Sequence, residues 1–441
     1  MRFYKGQRFL RKSWNFINLD YRVQAGALQF AILVAAIIAV LLSVFIVLVH
    51  SYSLFEKKSD LLIETVVATE NSILAELDDF SIKRDTLFKV IDEERNITSK
   101  VQKNYWGVFG KVYAQTKVKG KAFEKMALTS GFQSNNQRTS LYLKETHRPL
   151  IVVGNTKIEG KVFLPERGIR AGTISGNSYY GTKLIYGRIL KSSETLPKFP
   201  TQLKNHIEML QKMPLPVDDK HFIEIRQGKT YVNSFTKPVK TVFSNEELDL
   251  VNMQLIGNIL IRSNTKIKVA ASATLKDVIL IAPIIEIEAN VQGTFQAIAS
   301  EQILVGKDCK LFYPSALVLT AEDDLEEVSN KEVKKHIFID QHTEVKGLIC
   351  FLQGESKNHF EPQIMLKENT LLEGVVYCQQ QLELLGNVAG SVYTGGFITK
   401  QFGSVYQNHI YNGTISSLEL SENYVGFPLE NLEQKVMKWL Y

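Results

Sequence analysis

The chain has 441 residues, 45% of them hydrophobic, and a formal net charge of +6. It is too long for one typical domain and apolar enough for a large core. The charge excess is local: Arg2, Lys5, Arg8, Arg11, Lys12 and Arg22 face only Asp20 within residues 1–24. The nearly balanced remainder argues against nucleic acid as a partner.

Residues 1–27 form the basic segment. Leu28 to Val49 is a run of 22 residues without a charge. As a helix it spans about 33 Å, enough to cross a bilayer. A cleaved signal peptide would have a shorter apolar core and a small-residue cleavage site, whereas His50-Ser51-Tyr52-Ser53 follows here. The basic residues precede the span, which predicts a cytoplasmic N-terminus and an extracytoplasmic bulk, in a single-pass inner-membrane protein. Residues 50–95 read as a stalk helix, because Leu54, Leu61, Leu62, Val66, Ile73, Leu74 and Leu77 recur at helical spacing. Residues 96–145 are mixed, broken by Gly107, Gly110, Gly120 and Gly131.

In residues 146–191 apolar alternation returns with Ile151, Val153, Ile158, Val162 and Leu164, and predicts stacked strands. Residues 192–250 carry Pro197, Pro200, Pro214 and Pro216 around a short helix at Gln202–Met213, and read as an insertion. Residues 251–320 hold the strongest pattern. Ile261, Ile267, Ala273, Ile279, Ile285, Val291, Ala297, Ile303 and Cys309 recur every six positions, with a second series two residues later. Period two within period six is a strand pattern with corners, and three corners close a coil of eighteen residues. The expectation is a mainly β protein built on a parallel β-helix, with Ile267, Ile285 and Ile303 stacked and Lys268 lying over Glu286.

Residues 321–335 are acidic and read as a solvated insertion. Residues 336–418 resume the coil: the block from His336 through Gly347 to Cys350 aligns with Gln363 through Gly374 to Tyr377, and with Leu382 through Gly390 to Tyr393. Residues 419–441 place Leu429, Leu432, Val436 and Leu440 at helical spacing. They are expected to form a helical cap over the open edge of the last coil.

No stretch carries a catalytic signature. Among the candidate bases, His336, His342 and His359 are scattered in the later coils. Glu286 and Glu288 project from one face as a lone carboxylate pair. Phosphate-loop, zinc-protease, Cys-x-x-Cys and nucleophile-elbow motifs do not occur. Cys309, Cys350 and Cys378 lack metal-ligand spacing and read as small buried apolar residues. The expectation is a non-enzyme with no catalytic, cofactor-binding or metal-binding residue and no cofactor.

The strand-turn repeats of Gly257–Leu319, without a histidine base, resemble the bactofilins, bacterial polymer-forming β-helix proteins. Gly26-Ala27-Leu28 leading into the apolar run is similar to the N-terminal helix of type IV pilins and minor pseudopilins. Phe30 stands where most pilins carry a glutamate. The first resemblance implies a structural, scaffold or docking role in a cell-envelope assembly. The second implies a minor component of a secretion or pilus system, and the coil architecture leaves a polysaccharide-active enzyme as a third reading. Expected partners are the membrane and other envelope proteins or further copies of the chain, with polysaccharide left open.

Overall fold

The computed structural model describes residues 17–77, 87–92, 97–212, 214, 219–321, 335–353 and 360–440. The chain is mainly β, with one long apolar helix near its N-terminus. It divides into two units, Met1–Val67 and Ala68–Tyr441.

Helix α1 (Ile17–Leu74) contains the apolar run, and its stretch from Gly26 is long and apolar enough to cross a membrane. None of that apolar window is buried. The expected stalk to residue 95 is shorter: α1 ends at Leu74, and the amides of Glu76 and Leu77 tighten the last turn by donating to Ile73 O and Leu74 O. Leu87–Asp92 (β1) is a strand, so the helical spacing does not carry through.

The Ala68–Tyr441 unit has a wall of parallel strands around an apolar interior. Ile267, Ile285 and Ile303 are register partners eighteen residues apart. The spacing is not constant. It is thirty-four from Ile303 to Ile337, twenty-seven from Ile337 to Ile364, and sixteen from Leu372 to Val388. The three aligned blocks of the sequence do coincide: Gly347, Gly374 and Gly390 are consecutive register partners. A Cβ on Gly374 would lie 1.9 Å from Gly347 O, so only glycine fits there. Of the expected acidic insertion at 321–335, residues 322–334 lie outside the described residues.

Corners between strands are formed by left-handed residues: Asn290, Asp308, His342 and Asn369 all have φ between 57° and 65°. Asn, Asp and His tolerate that region better than other side chains. The residues that follow them, Val291, Cys309, Thr343 and Thr370, are buried.

Residues 192–250, expected as one insertion, divide: 230–250 belong to the strand stack. Strands Thr230–Asn233, Lys240–Ser244 and Leu248–Leu250 pair in parallel with Gln254–Gly257, Ile259–Ser263 and Lys266–Val269. They form the first layer. Residues 146–191 do not precede that layer, although chain order suggests it. Val392 pairs with Leu141, Ile410 with Val152 and Ile415 with Ile158, so the early strands stack on the latest ones. This docking, not a C-terminal helix, covers the open edge. Residues 419–441 instead supply strands Val425–Phe427 and Glu433–Leu440.

Those two strands extend an antiparallel sheet of β1, β2 (Ile97–Trp106), β3 (Phe109–Val118) and β4 (Lys121–Phe132). A bulge between Val436 and Lys438 breaks strand alternation, which is why the apolar spacing imitates a helix. One sheet face packs Ile73 and Leu77 against Val101, Val112, Ala114 and Ala127. Lys103 pairs with Glu76 at 3.1 Å there. The other face, with Trp106, Met126 and Leu128, covers one wall of the parallel strands together with α2 (Thr201–Lys212). That wall is buried on both faces. Val278, Leu280 and Ala282 look inward, while Ile279 and Ile281 look outward into the covering layer. This accounts for uninterrupted apolar runs such as Val278–Ala282.

Candidate functional site

The residues singled out as chemical candidates do not converge. His342 is a left-handed corner, His336 lies on a strand in register with Gln302, and His359 falls outside the described residues. The two glutamates are neutralised by lysines. Lys266 Nζ contacts Glu286 at 2.6 Å and Lys268 Nζ contacts Glu288 at 3.0 Å. Lys268 is the register partner of Glu286, but each lysine side chain pairs with the glutamate two residues beyond its register partner. Each lysine ammonium is held above its ordinary range, chiefly by its carboxylate hydrogen bond. Committed ion pairs of this kind are poor general acids or bases.

The thiols are free and buried. Cys350 belongs to the covered outer face and Cys378 to the interior, on opposite sides of one wall. Burial pushes the Cys378 thiol up to about 12, which disfavours a reactive thiolate there. Among the described residues, no group of three or more His, Cys, Asp or Glu side chains is placed to hold a metal ion.

Three features emerge only in three dimensions. A crevice of about 300 Å³ lies where the C-terminal segment crosses the wall, lined by Tyr313, Lys346, Glu373, Glu419, Tyr424 and Met437. Lys346 Nζ meets Glu373 at 2.9 Å across it. Tyr424 donates to Gly347 O at 3.1 Å, and Tyr313 to Val425 O at 2.7 Å. Burial raises both phenols well above their ordinary range. Those phenols fasten the C-terminal segment to the stacked glycines and are spent on that contact.

The second feature is Glu383, almost wholly buried, which accepts from Lys367 Nζ at 2.9 Å and from the Lys400 amide at 3.0 Å. Lys400 Nζ is in turn paired with Glu361. A buried carboxylate so satisfied is a structural clamp. No signal in the sequence separates it from the other glutamates.

The third feature is the two ends of the strand stack. At one end Ile223 and Ile225 pack against the interior, and the Tyr231 hydroxyl fixes them by donating to Glu224 O and accepting from the Arg226 amide. At the other end strand Ile189–Lys191 lies on Lys161–Leu164, with Ile189 over the buried Val162 and Lys191 over the buried Leu164. A lysine at an inward register position blunts an edge against further strand addition. Arg167, Arg170, Tyr180, Lys183 and Arg188, in the segment that leads into this strand, are all exposed. Both ends are thus dressed as surfaces, one plugged and one basic. Comparison with protein-family models, with curated proteins and with solved structures finds no match.

Proposed function

We propose that the chain is a single-pass membrane protein whose Ala68–Tyr441 unit is a parallel β-helix serving as an extracytoplasmic scaffold or docking body in a cell-envelope assembly. One observation carries this reading: the exposed apolar stretch of α1 continues, without a break in the helix, into residues that pack in the core of the strand-built unit. The β-helix assignment is supported by consecutive parallel registers that close around one apolar interior. The committed ion pairs and hydrogen-bonded phenols support a binding role over catalysis. The plugged end and the inward Lys191 favour docking of other molecules over end-to-end stacking of copies.

The orientation rests on the basic residues before Leu28. Alkaline phosphatase fused after Tyr441 is expected to be active and a cytoplasm-only fluorescent reporter dark. The reverse pattern overturns the orientation and with it the extracytoplasmic role.

A further inference from the structure

The basic end of the stack concentrates charge that the rest of the unit lacks. Residues 144–191 hold nine Lys and Arg (Lys144, Arg148, Lys157, Lys161, Arg167, Arg170, Lys183, Arg188, Lys191) against three Glu (Glu145, Glu159, Glu166). The acids present are engaged. Glu159 pairs with Lys157 at 2.6 Å, Glu166 with Lys191 at 3.2 Å, and Glu145 accepts the His147 and Glu166 amides. Glu419 also faces Lys157.

Lys161 and Arg188 are left as a like-charge pair. Val162 registers with Ile189, so the residues just before them lie on neighbouring strands, about 4.8 Å apart. Burial and the nearby Arg188 hold the Lys161 ammonium below its ordinary range; its Nζ donates to a neutral carbonyl, Gln137 O, and lies 5.6 Å from the centre of the Phe163 ring. Like charges facing each other across strands are destabilising. A tyrosine lies beside the pair: Tyr186 is two residues before Arg188, bridged to Glu159, with Lys157 Nζ 5.8 Å from its ring centre. Cations fix carboxylates, and flat aromatic faces stack on sugar rings.

Resting on the extracytoplasmic docking reading, we propose that this end binds an acidic polysaccharide, with Lys161 and Arg188 holding its carboxylates and Tyr186 bordering the chain. The repulsion between Lys161 and Arg188 is relieved when the polyanion is bound.

The test uses full-length protein in neutral detergent, with polygalacturonate as probe, dextran as the neutral control and phosphatidylglycerol vesicles as the lipid control. Wild type is expected to bind polygalacturonate and not dextran, with the affinity falling as salt rises. Lys161→Gln/Arg188→Gln is expected to bind at least tenfold more weakly while its thermal midpoint is no lower than wild type. Should the double variant melt early, Arg188→Gln alone, at an exposed position, decides the binding comparison. Equal affinity of variant and wild type, binding to dextran as strong as to polygalacturonate, or binding to the vesicles alone each overturns the proposal. The reporter-fusion result does not enter this assay, so failure of the topology and failure of the polysaccharide site are separately visible.

Discussion

One buried side chain ties the turn between β2 and β3 to the parallel wall. Gln296, buried on the strand Gln292–Val305, accepts the Val108 amide at 2.7 Å and donates to Trp106 O at 3.1 Å. These groups belong to the tight turn between β2 and β3, where Gly107 has φ 61° and a Cβ would strike Gln296 Oε1. Gln296→Met fills most of the volume but leaves a buried N–H and a buried C=O without partners. Each orphaned group costs about 1–3 kcal/mol, so the loss is about 2–6 kcal/mol in all. Gln296→Glu is more informative. One carboxyl oxygen still accepts from Val108, but the other meets the Trp106 carbonyl and needs a proton to bond it. The folded-state pKa therefore rises above the unfolded value of about 4.3. The variant's stability, relative to wild type, is near normal below about pH 4.3 and falls as pH rises through the folded pKa, by about 1.4 kcal/mol for each unit of the shift. Urea unfolding followed by tryptophan fluorescence measures both, since Trp106 sits in the joint itself. A Gln296→Met midpoint equal to wild type, or a Gln296→Glu deficit that is the same at pH 5 and pH 8, refutes the two-hydrogen-bond account.

Two further outcomes are expected. Ile285→Ala, enclosed between Ile267 and Ile303, should cost on the order of 2–5 kcal/mol, whereas Glu286→Ala, which loses a partly exposed pair with Lys266, should cost under about 1 kcal/mol; equal losses in denaturant melts would show that the alternation is misassigned. His206 on α2 lies 4.9 Å from the Tyr105 ring, and burial lowers its pKa to about 4. Between about pH 6.5 and that value the unfolded chain takes up the proton first, so stability falls as pH falls; His206→Phe should remove that part of the slope, and an unchanged pH profile would count against the packing.

Much of the molecule was legible one residue at a time. An apolar run of helical length needs no tertiary information, because its own backbone satisfies every polar group. The inward series through Ile267, Ile285 and Ile303 was readable because strand alternation is local and the interior admits only apolar side chains. The glycine at the head of each aligned block was visible for the same reason, since the tight approach recurs at three successive layers.

What the sequence did not disclose depends on which surfaces meet. Chain order placed residues 146–191 before the strong repeat, yet Leu141 and Ile158 stack on Val392 and Ile415. Any apolar alternating strand can pair with any open parallel edge, and only the tertiary arrangement selects which. The C-terminal segment shows the same limit: Leu429, Leu432, Val436 and Leu440 fit a helix by spacing, but the free edge of β4 and a bulge at Val436/Lys438 make the segment a strand. The facing of Lys161 and Arg188 was likewise invisible, since twenty-seven residues separate them in the chain and only the register of Val162 with Ile189 brings them together. Local periodicity thus determined most of the strands and most of their inward positions, Ile279 and Ile281 excepted. The pairing of edges, which satisfies backbone groups far apart in sequence, decided the order of the layers and the charge each end presents.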